Sequence, residues 1–548
     1  MKAIVATPKK IKAVFQDSYV IPDFQRPYSW EEEQCLTLLN DIIDYHEENS
    51  NVGEDQYYLG NIVLYHIPEN DKGYIIDGQQ RLTTMLLLLK ALYSKASTAK
   101  ALEECIRQQD PITSALTDKL KIESNVIEED YNELKDIILN DNFDGQSRFK
   151  KNYNALSKRL DEWMHGRSSD EINRFILTVL EHVGMLPIEC SSLDDALVIF
   201  NSVNNRGMPL NDADIFKALM IKETADDSKK RKDFVKRWNA LNEDEDIESY
   251  FRILMHLKRA ENDDTSREIG LRKFYENDRH AYLKPYKDVL SALEKIKYFD
   301  DEYPVTDRMK NLWGIIYWEK PNDYACYPIF TYWYKYAELH EEGGEKTWIL
   351  PSDKMNEFEK LLEATIKYYF VYAIAYNTVN KVKDVTYKVC AAIMHNRDYL
   401  RFYTENYNTA YDIFEQKIKL YEYGKCRKGL VILLAILNKN QNQTALYNID
   451  EWDLEHILPQ KGGYNNYNGW TEQEYKEKLN TLGNFVLFEK PKNIRASNDF
   501  FTKKKEEYKT SDIQEVKDLS TLSDWTYEEW KKRETQKENE IFKFFKMS

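Results

Sequence analysis

Near the C-terminal end of the chain stand side chains whose types and spacing suit the cutting of a phosphodiester bond. They are Glu455 and His456 in the string Glu-Trp-Asp-Leu-Glu-His-Ile-Leu-Pro-Gln (451–460), Asn484 within Leu-Gly-Asn-Phe-Val-Leu-Phe (482–488), Asn493, and the run Lys503, Lys504, Lys505. A carboxylate beside an imidazole, closed by amides, can hold one divalent cation and aim one general base at a water. The lysines suit a phosphodiester partner. A second set lies in the N-terminal third, Asp77-Gly78-Gln79-Gln80-Arg81. Gly78 lets the backbone approach an anion closely, and Arg81 offers a planar fork of donors to phosphate oxygens. Asp77 could hold a metal or orient a water. Gln79 and Gln80 could read polar edges or position a nucleophile.

Both sets need particular elements to place them. The C-terminal set calls for a short strand ending in Glu455-His456, a loop, a second strand opened by Asn484, then a polar turn and a basic helix. The N-terminal set calls for a strand, a glycine turn and a helix N-terminus, an arrangement that binds anions. The sequence supplies strands at Tyr57 to His66 and Tyr74 to Ile76, then an apolar helix from Leu82 to Tyr93. Val20 to Trp30 is extended because Pro22 and Pro27 forbid a regular helix. Ser29 is expected to cap a helix starting at Glu31. Leu186 to Cys190 reads as another strand, and Asp194 to Val203 has helical period. Asn211 is expected to cap the helix that follows.

Between Lys95 and Leu180 the chain reads as a charged helical insertion. Three domains are expected: 1–225, 226–405 (helical) and 406–548. The fold class is α+β, predominantly helical. The tail, Asp524 to Lys546, is an amphipathic helix that either packs on the C-terminal module or forms a homodimer contact. With 42% apolar residues among 548, the chain can build real cores, and its 39 tyrosines enrich them in amphipathic rings. A formal charge of −16 excludes a uniformly basic coat, so nucleic-acid contact would need local patches. The six cysteines are scattered, which excludes a paired-cysteine zinc ribbon and suggests reduced thiols in a cytoplasmic protein. The longest apolar run, Leu430 to Leu437, is too short to span a bilayer, so no membrane partner is expected.

The C-terminal motif resembles the HNH nucleases, and its spelling, EHILPQ, LGNFVLF and KNIRASNDFFTKKK, is similar to that of the GmrSD family of type IV restriction enzymes. The N-terminal IPDFQRPYSW, YLGNIVL and DGQQR resemble the same family's N-terminal domain, as does the segment from Phe200 to Asp214. The resemblance implies a ParB/sulfiredoxin-like N-terminal fold and a C-terminal ββα-metal HNH fold. It implies that His456 is the general base, Glu455 and Asn493 ligands of Mg²⁺ or Mn²⁺, and Asn484 the group that orients the imidazole. Asn493 stands where many HNH enzymes have a final His, and Asn is the weaker ligand for such ions. The resemblance links Asp77, Gly78, Gln79, Gln80 and Arg81 to binding and hydrolysis of a nucleoside triphosphate (GTP, ATP or UTP). Gln25, Arg26, Asn204 and Arg206 become neighbours of that pocket.

The function implied is a modification-dependent endonuclease of anti-phage defence, with double-stranded, modified phage DNA as substrate and a nucleotide as its controlling ligand. Two alternatives of other classes are a non-cleaving DNA-binding regulator and a nucleotide-hydrolysing toxin.

Overall fold

The computed structural model describes residues 5–547 apart from 24, 50–55, 68–69, 97–99, 111, 127, 194, 197–198, 201–211, 225–226, 243–246, 277–280, 303–304, 343–344, 379, 438–445, 447–450 and 461–468. The chain forms two compact units, Met1–Asn239 and Ala240–Ser548. The expected class, predominantly helical α+β, is what the elements form. Asn204, Arg206, Asn211 and most of the segment from Asp194 to Val203 that was read as helical lie outside the described residues.

The first unit is built on a seven-stranded mixed sheet. Its strands are β1 (Val5–Ala6), β2 (Lys9–Lys10), β3 (Tyr19–Ile21), β4 (Tyr57–Ile67), β5 (Asn70–Asp77), β6 (Ile122–Ser124) and β7 (Val183–Cys190). The order is β1-β7-β4-β5-β3-β6, with β2 also paired to β7. β4 and β5 form an antiparallel hairpin, while β4–β7, β3–β5 and β3–β6 are parallel. Helix α1 (Glu32–Glu48) is capped by Glu31, not by Ser29. Glu31 and Gln34 satisfy each other's backbone donors in a reciprocal capping box. Ser29 instead donates its own N–H to Gln80.

Helix α2 (Gln79–Lys95) leaves β5 through Gly78, whose φ of 93° is left-handed. A side chain there would be strained, and its Cβ would come within 3.2 Å of the Asn61 carbonyl oxygen. Leu86, Leu87, Leu88 and Leu89 are all fully buried, which is why this helix has no polar face to speak of. Each such leucine stabilises the unit by roughly 1.5–3 kcal/mol. Helix α3 (Arg148–Met164), from the stretch read as an insertion, packs on α1 and α2.

The second unit is a stack of helices leading into a small hairpin. Its tyrosines are core residues: Tyr332, Tyr368, Tyr369, Tyr403, Tyr407 and Tyr423 are all nearly or fully enclosed. The long helix α4 (Ser352–Tyr376) and the apolar helix α5 (Arg427–Leu437) form part of that stack. Strands β8 (Trp452–His456) and β9 (Phe485–Glu489) pair antiparallel, with Glu455 opposite Val486 and His456 opposite Phe485. Helix α6 (Lys490–Ala496), rather than a polar turn, follows β9 directly and touches both strands. Helix α7 (Phe501–Tyr508) and the tail helix α8 (Tyr527–Phe545) complete the module. α8 packs on the turn at Leu482–Asn484 and on α5, the first of the two roles expected of the tail. All six cysteines are buried and free. Among the described residues no helix is long and apolar enough to cross a membrane.

Candidate functional site

His456 ends β8 with its ring against Phe485, centroids 4.4 Å apart at 61°. Its Nε2 lies 3.2 Å from Asn480 Oδ1 and 2.8 Å from Gln460 Nε2. One nitrogen cannot serve both at once: protonated it donates to Asn480, unprotonated it accepts from Gln460. In the first tautomer Nδ1 carries the lone pair, and among the described residues it has no hydrogen-bond partner. Burial, together with the charges of Lys504 and Arg427 and against the Asn480 hydrogen bond, holds the imidazole's pKa down at about 4. The ring is therefore neutral at physiological pH, the form a base requires.

A prediction follows for the pH profile. With His456 as base, protonation below the depressed pKa would remove it, so cleavage should hold steady from pH 8 down to about 5. It should fall tenfold per unit only below about 4. An acid limb near the ordinary histidine value of about 6.5 would show that the imidazole is solvated.

The structure gives Asn484 a role other than touching the imidazole. Asn484 is fully buried. Its Oδ1 accepts from Leu458 N–H at 2.8 Å, its Nδ2 donates to the Leu479 carbonyl at 2.7 Å, and its own carbonyl accepts from Ile457. It thus frames the chain on both sides of the hairpin, and the side chains that hydrogen-bond the ring are Asn480 and Gln460. Gln460 stands four residues beyond His456 in the same string and was open to notice. Asn480 carries no local signal, because its place depends on how the hairpin closes.

Glu455 does not present an open carboxylate. It is 4% exposed, with Lys504 Nζ at 2.7 Å and the Tyr508 hydroxyl donating at 2.6 Å. Burial raises its pKa, with Lys504 pulling the other way. A hard divalent cation needs accessible oxygens, and this acid already faces a cation of the protein's own. Asn493 lies instead beside Asp453, its Nδ2 3.4 Å from Oδ2. Rotating that amide would turn its oxygen toward the same point, so Asp453 and Asn493 are the pair whose chemistry fits a cation here. Among the described residues no cluster of three His, Cys, Asp or Glu side chains could hold a metal.

The lysine run divides three ways. Lys503 is exposed and pairs with Asp499 at 3.1 Å, Lys504 is 1% exposed, and Lys505 donates to the Leu522 carbonyl. Only Lys503 is placed as a phosphate contact would be.

In the first unit the five residues from Asp77 separate into two groups. Arg81 donates to the Leu59 carbonyl at 2.9 Å and lies 3.5 Å from Asp77. Gly60, with φ 115°, makes room for it, since a Cβ there would meet the guanidinium at 1.9 Å. Burial raises the pKa of Asp77, with Arg81 opposing. Gln80 uses both ends of its amide to hold the segment before α1, accepting from Ser29 and Trp30 and donating to Pro27. Gln25 donates to the Ile76 carbonyl at 3.2 Å. Both glutamines pin main-chain groups of neighbouring segments.

Gln79 donates to the Arg26 carbonyl at 3.0 Å, while its Oε1 is buried without a partner. It lines a cleft with Arg26, Tyr28, Asp130 and Tyr131. The free volume there is 20 Å³, about one water's worth, so a nucleotide enters only if the cleft widens.

Two family models match the chain. Residues 9–221 match the N-terminal domain of the GmrSD restriction endonuclease, and residues 405–542 match the C-terminal domain of the GmrSD restriction endonucleases. No curated protein matches it.

Proposed function

Because the chain belongs to the GmrSD family of restriction endonucleases and takes a type IV restriction role, we propose that His456 is the base that cuts DNA in its C-terminal module. The observation that carries this is the neutral imidazole fixed at the end of a two-stranded hairpin, held through Nε2 with Nδ1 open among the described residues. Nδ1 takes a proton from water, the resulting hydroxide attacks phosphorus in line, and the bond to the opposite oxygen breaks. Phe485 packs against the ring, and a hydrogen bond from Nε2 to Asn480 leaves the lone pair on Nδ1.

The hairpin followed by α6 is read as the ββα-metal fold of HNH enzymes. A divalent cation, Mg²⁺ or Mn²⁺, would supply Lewis-acid stabilisation of the leaving oxygen, and Asp453 and Asn493 are the side chains able to hold it. The first unit is read as a ParB-like module that binds and hydrolyses a nucleoside triphosphate and recognises modified phage DNA. The left-handed Gly78 at the N-terminus of α2 supports an anion there. Arg26 and Gln79 are among the side chains that line the cleft.

The test is a strand-break assay on modified and unmodified phage DNA, with and without each triphosphate and with EDTA. Breaks confined to modified DNA, dependent on a triphosphate and abolished by EDTA, are expected. DNA binding without breaks under every condition would favour a non-cleaving regulator. Triphosphate turnover needing no DNA and leaving it intact would favour a toxin acting on nucleotide pools.

A further inference from the structure

The sequence presents Lys504 as one of three basic residues facing DNA, and Glu455 as an acid facing a cation. The structure joins them to each other. Lys504, 1% exposed, places its ammonium 2.7 Å from the Glu455 carboxylate and donates to the His456 main-chain carbonyl at 2.6 Å. Tyr508, one turn further along α7 and fully buried, donates to the same carboxylate oxygen at 2.6 Å. Phe501 is buried as well. Positions 501, 504 and 508 form the inward stripe of α7, at the spacing of one helix face. A lysine is almost never enclosed to this degree unless it is paired. Here the pair grips both the main chain and the neighbouring side chain of the residue that carries the imidazole.

That grip has a mechanical meaning. β8 ends at His456, and beyond it the chain leaves the ladder. The Ile457 and Leu458 amides are held by Asn484. The His456 carbonyl is held by Lys504. With both sides of the residue tied, the Cα–Cβ bond points in a fixed direction, and the ring is free only to turn about it.

We infer that Lys504 is a positioning residue of the cutting centre, that Glu455 is its buried counter-ion rather than a metal ligand, and that Lys504 does not touch DNA. The inference rests on the reading of His456 as the base. It says which groups aim that base and removes two residues from the roles their types suggest.

The test uses the full chain carrying Glu455→Gln together with Lys504→Met, which removes both charges at nearly constant volume. Duplex binding measured in EDTA should keep its Kd and its salt slope, and the melting temperature should stay within a few degrees. Single-turnover cleavage should fall by roughly 10–100-fold, the scale of a misplacement of about 1 Å. A loss of fold alone would not produce reduced cleavage at unchanged binding and melting. Cleavage at the parental rate would overturn the inference. So would a salt slope shallower by about 0.9, the signature of one lost phosphate contact.

Should the double variant melt early, Tyr508→Phe replaces it: a several-fold slower cut at unchanged Kd is expected, and an unchanged rate refutes the clamp. Glu455→Gln alone, titrated with Mn²⁺ without DNA, should bind as the parent does. A loss of tenfold or more would return Glu455 to the metal. His456→Ala that still cut would remove the base instead, leaving the binding and Mn²⁺ results to stand by themselves.

Discussion

His456→Ala is expected to lower DNA strand cleavage by about 10²–10⁴-fold, the usual contribution of a positioned general base. The nucleotide turnover proposed for the first unit should be unchanged. The imidazole lies partly at the surface and its hydrogen bonds run to Asn480 and Gln460, both side chains that water can serve instead. Folding should therefore be nearly untouched, and the loss would be chemical. Nicking of supercoiled plasmid or phage DNA measures it, with circular dichroism as the control for folding. A variant that cuts as fast as the parent would mean that the proton goes to another group, and the hairpin would lose its claim to the chemistry.

The second large effect is on stability. Glu515 lies between Lys537, at 2.6 Å, and Arg533, whose side chains are 4% and 10% exposed. Burial pushes its carboxyl up, but the two cations prevail and hold its pKa at about 2. Glu515→Ala would take the nearest acid from two enclosed positive charges, leaving Lys537 with Glu540 at 3.8 Å, and breaking such a group costs about 3–5 kcal/mol. Arg533 also donates to the Leu482 and Gly483 carbonyls, so cleavage should weaken along with the fold. Denaturant unfolding of the variant checks the size, and a loss below about 1 kcal/mol would mark the group as well solvated. The sign with pH is fixed. A depressed carboxyl pKa gives stability that is present above the unfolded value of about 4.5 and is lost as pH falls through about 2.

Much of the framework could be read from the chain. The strand–glycine–helix passage at Gly78 is written in local residue types, and so are the two strands that bracket Asn484. The tail helix was equally plain, whereas the stretch between the two strands, read as a loop, contains a helix at Glu472–Lys478. The site itself was less so, for identifiable reasons. A run of three lysines looks the same whether it is solvated or folded inward, and only the stripe Phe501, Lys504, Tyr508 at helical spacing separates the middle one. That stripe was present in the sequence and outweighed by charge. Asn484 was matched to the right loop but to the wrong partner, because its bonds run to main-chain groups that no side-chain pattern encodes. Gln80 looked like a reader of polar edges because its type allows it. Its partners, 50 to 53 residues away, are fixed only by the folded chain. Ser29 lost its cap to Glu31 because a reciprocal pair with Gln34 satisfies more donors than one hydroxyl does.

The turn that bears Asn484 receives its last fastening from far downstream: the Gly483 N–H donates to Glu534 on α8, 51 residues later. During synthesis the histidine strand, its partner and the lysine helix are all made before that carboxylate. A chain interrupted between the two, by a premature stop or a proteolytic nick, would therefore carry every side chain of the cutting centre with its loop unfastened. Maturation of the blade waits on the last helix, and a nascent or clipped polypeptide would be blunt.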